Sequence, residues 1–180
     1  DQIWAAYGGF NKINFFADGN FRVNSIKNES LLKNLESSCL LFFTGFSRFA
    51  SDIASDIIKN TPKRKMELQE ISSIVAEAAI LLKAKKFDIN NFGKLMDESW
   101  QLKKTLSSTI SNKLINEIYS EAISSGALGG KLLGAGGGGF ILFIADKKHH
   151  KRIIKRLKNF LHVPFRFEKT GSQIIFNDKT

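Results

Sequence analysis

At 180 residues, with 43% hydrophobic and 24% charged side chains, the chain has apolar content for one domain and part of a second, and too much for intrinsic disorder. No apolar run approaches the roughly 20 residues of a membrane span, no secretory signal opens the chain, and one cysteine with three histidines leaves neither an internal disulfide nor a zinc set. A lone Cys39 suits a reducing cytoplasm, and a net charge of +10 selects anionic partners without choosing among phosphorylated metabolites, nucleotides, nucleic acid or protein.

The chain begins abruptly on Asp1-Gln2-Ile3-Trp4, and a fragment of something longer is expected. Residues 1–7 read as the end of a helix stopped by Gly8-Gly9. Phe10–Phe16 and Phe21–Ser25 read as two strands joined by an Asp18-Gly19 turn. A short helix is expected over Ser30–Leu35. Cys39–Phe43, a continuous apolar run, predicts a buried strand. Ser47 then reads as the cap of a helix from Arg48 to Lys59 that turns Phe49, Ile53 and Ile57 inward.

Three helices are expected next. Lys65–Lys86 carries Leu68, Ile71, Val75, Ala78 and Leu82 at helical spacing, the clearest amphipathic period in the sequence. Asn90–Leu106 presents Phe92, Leu95, Met96, Leu102 and Leu106, and Asn112–Ser124 presents Ile115, Ile118, Tyr119 and Ala122. A glycine-rich hairpin, a strand over Phe140–Ile144 and a helix over Lys147–Leu161 follow. Val163–Phe167, broken by Pro164, reads as an edge strand, with another over Ile174–Phe176. From about residue 38 the order is βαββαβ: an α+β, ferredoxin-like sheet whose first crossover is enlarged into a helical bundle.

Eight of the fourteen glycines fall between Gly126 and Gly139. A backbone this bare lets another group approach its N–H donors closely, and successive N–H groups form anion-binding nests. Gly134-x-Gly136-x-x-Gly139 matches a dinucleotide fingerprint, but a strand follows where that mechanism needs a helix. A Walker loop ending at Lys131 fails because Ser125 and Leu132 stand where glycine and Ser or Thr belong. A tight hairpin and a phosphate-proximal loop both remain open.

Elsewhere, Lys147, Lys148, Lys151, Arg152, Lys155, Arg156 and Lys158 form a basic helix face that reads as solvated surface. Arg48, at the start of a helix after a buried strand, is placed either to bind an anion or to make a surface ion pair. No Ser/His/Asp or Cys/His spacing supports nucleophilic catalysis.

Lys131-Leu-Leu-Gly134-Ala-Gly-Gly-Gly-Gly139 resembles the third motif of the GHMP small-molecule kinases, and Asp1-Gln2 with Gly8-Gly9-Phe10-Asn11 resembles the segment after their second. Thr44-Gly45-Phe46-Ser47-Arg48-Phe49-Ala50 is similar to the T-G-x-[ST]-R-x-A stretch of the heptose phosphate and fucose kinases among them. The resemblance implies residues 1–37 as the end of an N-terminal, ribosomal S5-like domain and 38–180 as the C-terminal domain. It implies phosphoryl transfer from ATP, with Mg2+, to the anomeric hydroxyl of a sugar or sugar phosphate, heptose 7-phosphate above all. Asp1 would be catalytic. Gly8 and Gly9 would bind the substrate, and Gly134, Ala135, Gly136, Gly137 and Gly138 would lie near the phosphate loop; Arg48 suits the substrate's phosphate by its charge and position.

The family's main phosphate loop and its Mg2+ ligands are not in this sequence. The expected partner is therefore the N-terminal half of the same kinase, and the chain alone is expected to be inactive. No metal ligand, nucleic acid or membrane is assigned. The competing reading is a basic ferredoxin-like nucleic-acid-binding module. Gly137, Gly139, Phe140, Ile141 and Phe143 fit parts of an RNA-recognition strand, yet Gly136 and Gly138 stand where that strand needs a cation and a stacking aromatic. A non-catalytic assembly domain of the same fold is the third reading.

Overall fold

The computed structural model describes residues 2–46 and 50–176, which form two compact units. The first comprises residues up to Glu36 together with those from Phe165 onward. Helix α1 (Gln2–Tyr7) stops at Gly8, whose amide donates to the Trp4 carbonyl at 2.8 Å. Strands β1 (Asn11–Phe15) and β2 (Phe21–Ser25) pair antiparallel. Their turn is held by the Asp18 carboxylate, which accepts from the Asn20 amide at 3.0 Å. Helix α2 (Glu29–Ser37) begins where the Asn28 side chain accepts from the Leu31 amide.

The second unit spans Ser37–Pro164. Strand β3 (Cys39–Phe43) leads into helix α3 (Ala50–Asn60), a single 3-10 turn at Thr61–Lys63, and helices α4 (Lys65–Leu81), α5 (Ile89–Thr105) and α6 (Lys113–Ser124). Strands β4 (Ala127–Leu132) and β5 (Phe140–Ala145), helix α7 (Lys147–Arg156) and strand β6 (Leu161–His162) complete it. The sheet runs β4-β5-β3-β6 with every pair antiparallel. That is the ferredoxin-like order, with α3 to α6 filling the enlarged first crossover.

One sheet face carries Leu40, Phe42, Ile141, Phe143 and Leu132, all buried against Trp100, Ile115, Ile118, Ile153 and Leu157. The alternation follows from the two-residue strand period. Asp88 and Asn112 cap α5 and α6 by accepting from backbone amides two or three residues on. Among the described residues no helix is long and apolar enough to cross a membrane.

The C-terminal strands differ from expectation. β6 is only Leu161–His162; the Val163 amide adds one bond to the Leu41 carbonyl, and Pro164, with no N–H, ends the pairing. Beyond it Phe167 donates its amide to the Glu36 carboxylate, and Ile174, Ile175 and Phe176 are exposed with no strand. The last helix stops at Arg156 rather than Leu161, because Leu161 pairs with Phe43 instead and is 66% exposed. Helix α4 also departs from its period: Leu68 and Ile71 pack on the core, but Val75 is 48% exposed and α4 holds no fully buried side chain. Its apolar residues, Met66, Ile74 and Ile80 among them, occupy several faces, so no single stripe is defined.

The glycines also divide. Gly129 and Gly130 lie within β4, where α5 crosses so closely that a Cβ on Gly129 would sit 2.0 Å from the Gly93 carbonyl oxygen. Gly129→Ala is expected to destabilise the chain by about 2–3 kcal/mol through overpacking, read as a lower urea midpoint at unchanged slope. Val75→Ala should move stability by less than about 0.5 kcal/mol, although the sequence pattern makes it a core position.

Candidate functional site

The glycine loop joins β4 to β5 and is held from three sides. Where β4 ends, the Leu133 amide donates to the Phe140 carbonyl at 2.8 Å, closing the ladder. At the far end the Gly139 carbonyl accepts from both the amide and the hydroxyl of Thr44, each at 2.8 Å, and the Gly139 amide donates to the Phe46 carbonyl at 2.8 Å. Thr44 is buried at the end of β3, so this knot ties the loop to the sheet centre. In the connection between α5 and α6, the Ile110 carbonyl accepts from the Gly137 amide at 2.8 Å.

These contacts explain the loop's composition. A Cβ on Gly136 would lie 2.9 Å from the Ile110 Cα, and one on Gly138 would lie 2.8 Å from the Phe46 ring. Gly136 also has a φ of 128°, which side-chain-bearing residues avoid. The amides of Gly137 and Gly139 donate to protein carbonyls and are not available to an anion. The phosphate nest that the sequence suggests is thus reduced, and much of the bareness serves close approach by the chain's own segments.

A cation holds the start of the loop. Lys103 Nζ, reaching from α5, donates to the Gly134 carbonyl at 2.6 Å. Burial, reinforced by the charge of Lys131, pushes the Lys103 ammonium down to about 8, and burial pushes Lys131 down as well. Both lysines are half-buried. The sequence marks Lys131 as a failed Walker lysine and as the first residue of the glycine motif, and does not single out Lys103. The signal was there: Lys103 follows the fully buried Trp100 by three residues and precedes buried Leu106 by three, which puts it on the inward face of α5.

Asp97 of α5 accepts from the Tyr119 hydroxyl at 2.5 Å and from the Gln101 amide at 2.8 Å through one carboxylate oxygen. Burial and this bond raise the Tyr119 phenol above its ordinary range. The arrangement locks α5 to α6 and leaves Asp97 engaged. On α7, Arg156 pairs with Glu121 and Arg152 donates to the Ser124 carbonyl, so part of the basic face is tied down.

In the first unit, Gly8 and Gly9 have φ of 64° and 71°. A Cβ on Gly8 would lie 2.2 Å from the backbone at Thr170–Gly171. The Gly9 amide donates to the Glu168 carbonyl at 3.1 Å, and the Gly8 carbonyl accepts from the Asn11 side chain at 2.7 Å. Both glycines therefore let the 168–171 segment cross the end of α1. Asp1 and Arg48, with Ser47 and Phe49, lie outside the described residues. Among the described residues no group of three or more His, Cys, Asp or Glu side chains is placed to hold a metal.

Residues 76–163 match the family described as GHMP kinases C terminal. A D-glycero-alpha-D-manno-heptose 7-phosphate kinase of Campylobacter jejuni is 32% identical over 161 residues, covering 88% of this chain and 47% of that protein. A bifunctional fucokinase/GDP-fucose pyrophosphorylase of Arabidopsis thaliana is 29% identical over 168 residues, 88% of this chain and 16% of its own length. Among solved structures, a D-glycero-D-manno-heptose 1-phosphate kinase from Bacteroides thetaiotaomicron superposes with a TM-score of 0.66 at 25% identity, covering 95% of this chain and 46% of that one. A mevalonate kinase of L. major shares the fold with a TM-score of 0.69 at 21% identity, over 93% of this chain and 51% of its own. The chain thus spans about half, or less, of each of these proteins. Residues 76–163 of this chain thus carry the match to the GHMP kinases C terminal family, inside the second compact unit.

Proposed function

We propose that the chain is the C-terminal half of a cytoplasmic sugar kinase that transfers a phosphoryl group from ATP to the anomeric hydroxyl of D-glycero-D-manno-heptose 7-phosphate, giving the 1,7-bisphosphate. The observation that carries this reading is the 32% identity to the Campylobacter jejuni heptose 7-phosphate kinase along 88% of the chain. The Thr44–Ala50 stretch supports the same branch, and its first residue already has a structural duty in fixing Gly139. In this reading residues 1–37 close an N-terminal domain of the same enzyme and 38–180 are the C-terminal domain. The main phosphate loop and the Mg2+ ligands belong to that N-terminal half.

Phosphoryl transfer needs in-line alignment, neutralisation of charge around the transferred group, and a group that takes or orients the hydroxyl proton. Asp1 is assigned the last role: its carboxylate would accept a hydrogen bond from the anomeric hydroxyl and draw its proton as the oxygen attacks. Arg48 is assigned the 7-phosphate, which a guanidinium grips with two parallel hydrogen bonds. Gly8 and Gly9 shape the sugar side of the site. Gly134 to Gly138 brace the nucleotide's phosphate loop from below, a role that suits a loop whose Gly137 amide is spent on Ile110. ATP supplies the phosphoryl group and Mg2+ offsets its charge.

The 180-residue chain should release no ADP above background with Mg-ATP and heptose 7-phosphate, and robust turnover by it alone would sink the proposal. Joined to its N-terminal half, it should turn over this substrate, and Asp1→Asn should lower kcat by about 10²–10⁴-fold. Arg48→Met should raise KM for heptose 7-phosphate by about 10-fold or more while leaving KM for ATP unchanged. Gly136→Ala, which drives a methyl group into Ile110, should cost the assembled enzyme activity and about 1–3 kcal/mol of stability.

A further inference from the structure

Helix α5 carries Lys103 to the glycine loop and strand β4 carries Lys131 two residues before it, close enough for the charge of one to act on the other. Gly129 faces α5 closely, since its Cβ would meet the Gly93 carbonyl oxygen and the Asp97 amide. Lys131, two residues along the same strand, faces the same way, toward the next turns of α5, where Lys103 lies. Both side chains are half-buried. Among the described residues neither ammonium has a carboxylate within 4.0 Å. The carboxylates on this stretch of α5 are already engaged, Asp97 by Tyr119 and Gln101 and Glu98 by Lys94.

Two half-buried like charges without a counter-ion oppose folding, so their placement needs a compensating partner. Among the described residues Lys103 spends one of its three N–H donors, on the Gly134 carbonyl, and Lys131 spends none. The pair therefore offers charge +2 and five donors beside a loop whose backbone rises to meet Lys103. A dianion with several acceptor oxygens matches that count, and a single carboxylate does not.

We infer that Lys103 and Lys131 together hold one phosphate-class dianion at the rim of the glycine loop. The oxyanion site stands on this geometry alone; only the identity of the phosphate's carrier rests on the kinase reading above. A nucleotide and a free or sugar-borne phosphate present the same group, so the test separates them.

The chain is titrated calorimetrically at pH 7 and low salt with pyrophosphate, inorganic phosphate, ADP and adenosine. Pyrophosphate should bind and adenosine should not. Lys103→Met and Lys131→Met should each weaken pyrophosphate by about 10-fold or more, the size expected for a charge-assisted contact. Lys151→Met, on the solvated face of α7, should leave it unchanged. Without ligand, Lys131→Met should keep or raise Tm, because it removes a half-buried charge with no counter-ion, and Lys103→Met, which also gives up the bond to Gly134, should still unfold cooperatively well above the titration temperature; this shows that the loss is not unfolding. ADP binding more tightly than pyrophosphate assigns the phosphate to a nucleotide, whereas equal or weaker binding assigns it to a free or sugar phosphate. No pyrophosphate binding, wild-type affinity in either loop-side variant, or equal weakening by Lys151→Met would overturn the inference. These titrations contain no acceptor sugar, so a failure of the kinase reading in the turnover assay leaves their outcome untouched.

Discussion

The carbonyl of Gly139, gripped by the amide and hydroxyl of Thr44, is the joint on which the second unit's candidate site depends. It fixes where the glycine loop re-enters the sheet, and so where β5 begins its pairing with β3. A buried hydroxyl needs a partner, and a loop carbonyl facing the core needs a donor. Each satisfies the other across 95 residues of sequence. With that end fixed, Ile110 and Lys103 have only to hold the middle and the start of the loop. The glycines follow from the same constraint, since Ile110 and Phe46 approach positions 136 and 138 too closely for a side chain.

A second constraint lies at the other end of β4. The helix α5 lies against the strand at Gly93 and Gly129, and this close crossing carries Lys103 toward the loop. The same helix supplies Trp100 to the core and Asp97 to the bond with Tyr119. One element thus packs the bundle, locks it to α6, and delivers a cation to the loop. These duties fall on residues one turn apart, which is why the inward stripe of α5 includes polar and charged side chains among its apolar ones.

Much of this fold was legible in the sequence where pattern and chemistry agreed. Cys39–Phe43 is too short and too evenly apolar to be anything but a buried strand, and Asn112 followed by Ile115, Ile118 and Ala122 announces a capped helix. The βαββαβ order followed from those elements. Errors arose where a local pattern had a tertiary competitor. Leu161 fits the apolar face of α7 by spacing, but pairing with Phe43 removes it from the helix. Helix α4 is apolar on several faces, so its period could not tell Val75 from Leu68. Gly129 and Gly130 looked like part of the bend because composition cannot distinguish a glycine that turns from one that yields to a helix. The site was less legible still. Lys131 was visible as a motif residue, but its companion lies 28 positions earlier on another element, and Thr44 read only as part of a motif. Which residues meet across the sheet is set by topology, which a linear reading does not contain.

The bonds from Gly137 to Ile110 and from Gly139 to Phe46 give the loop a mechanical character at odds with its composition. Six glycine-rich residues in a row would ordinarily behave as a soft tether, opening freely to solvent. Here two alternate amides are fastened to carbonyls of separate segments, so the loop opens only when those segments part. In hydrogen-exchange terms Gly137 and Gly139 are members of the core that happen to lie in a bend. The softest part of the sequence is thereby turned into a rigid ledge.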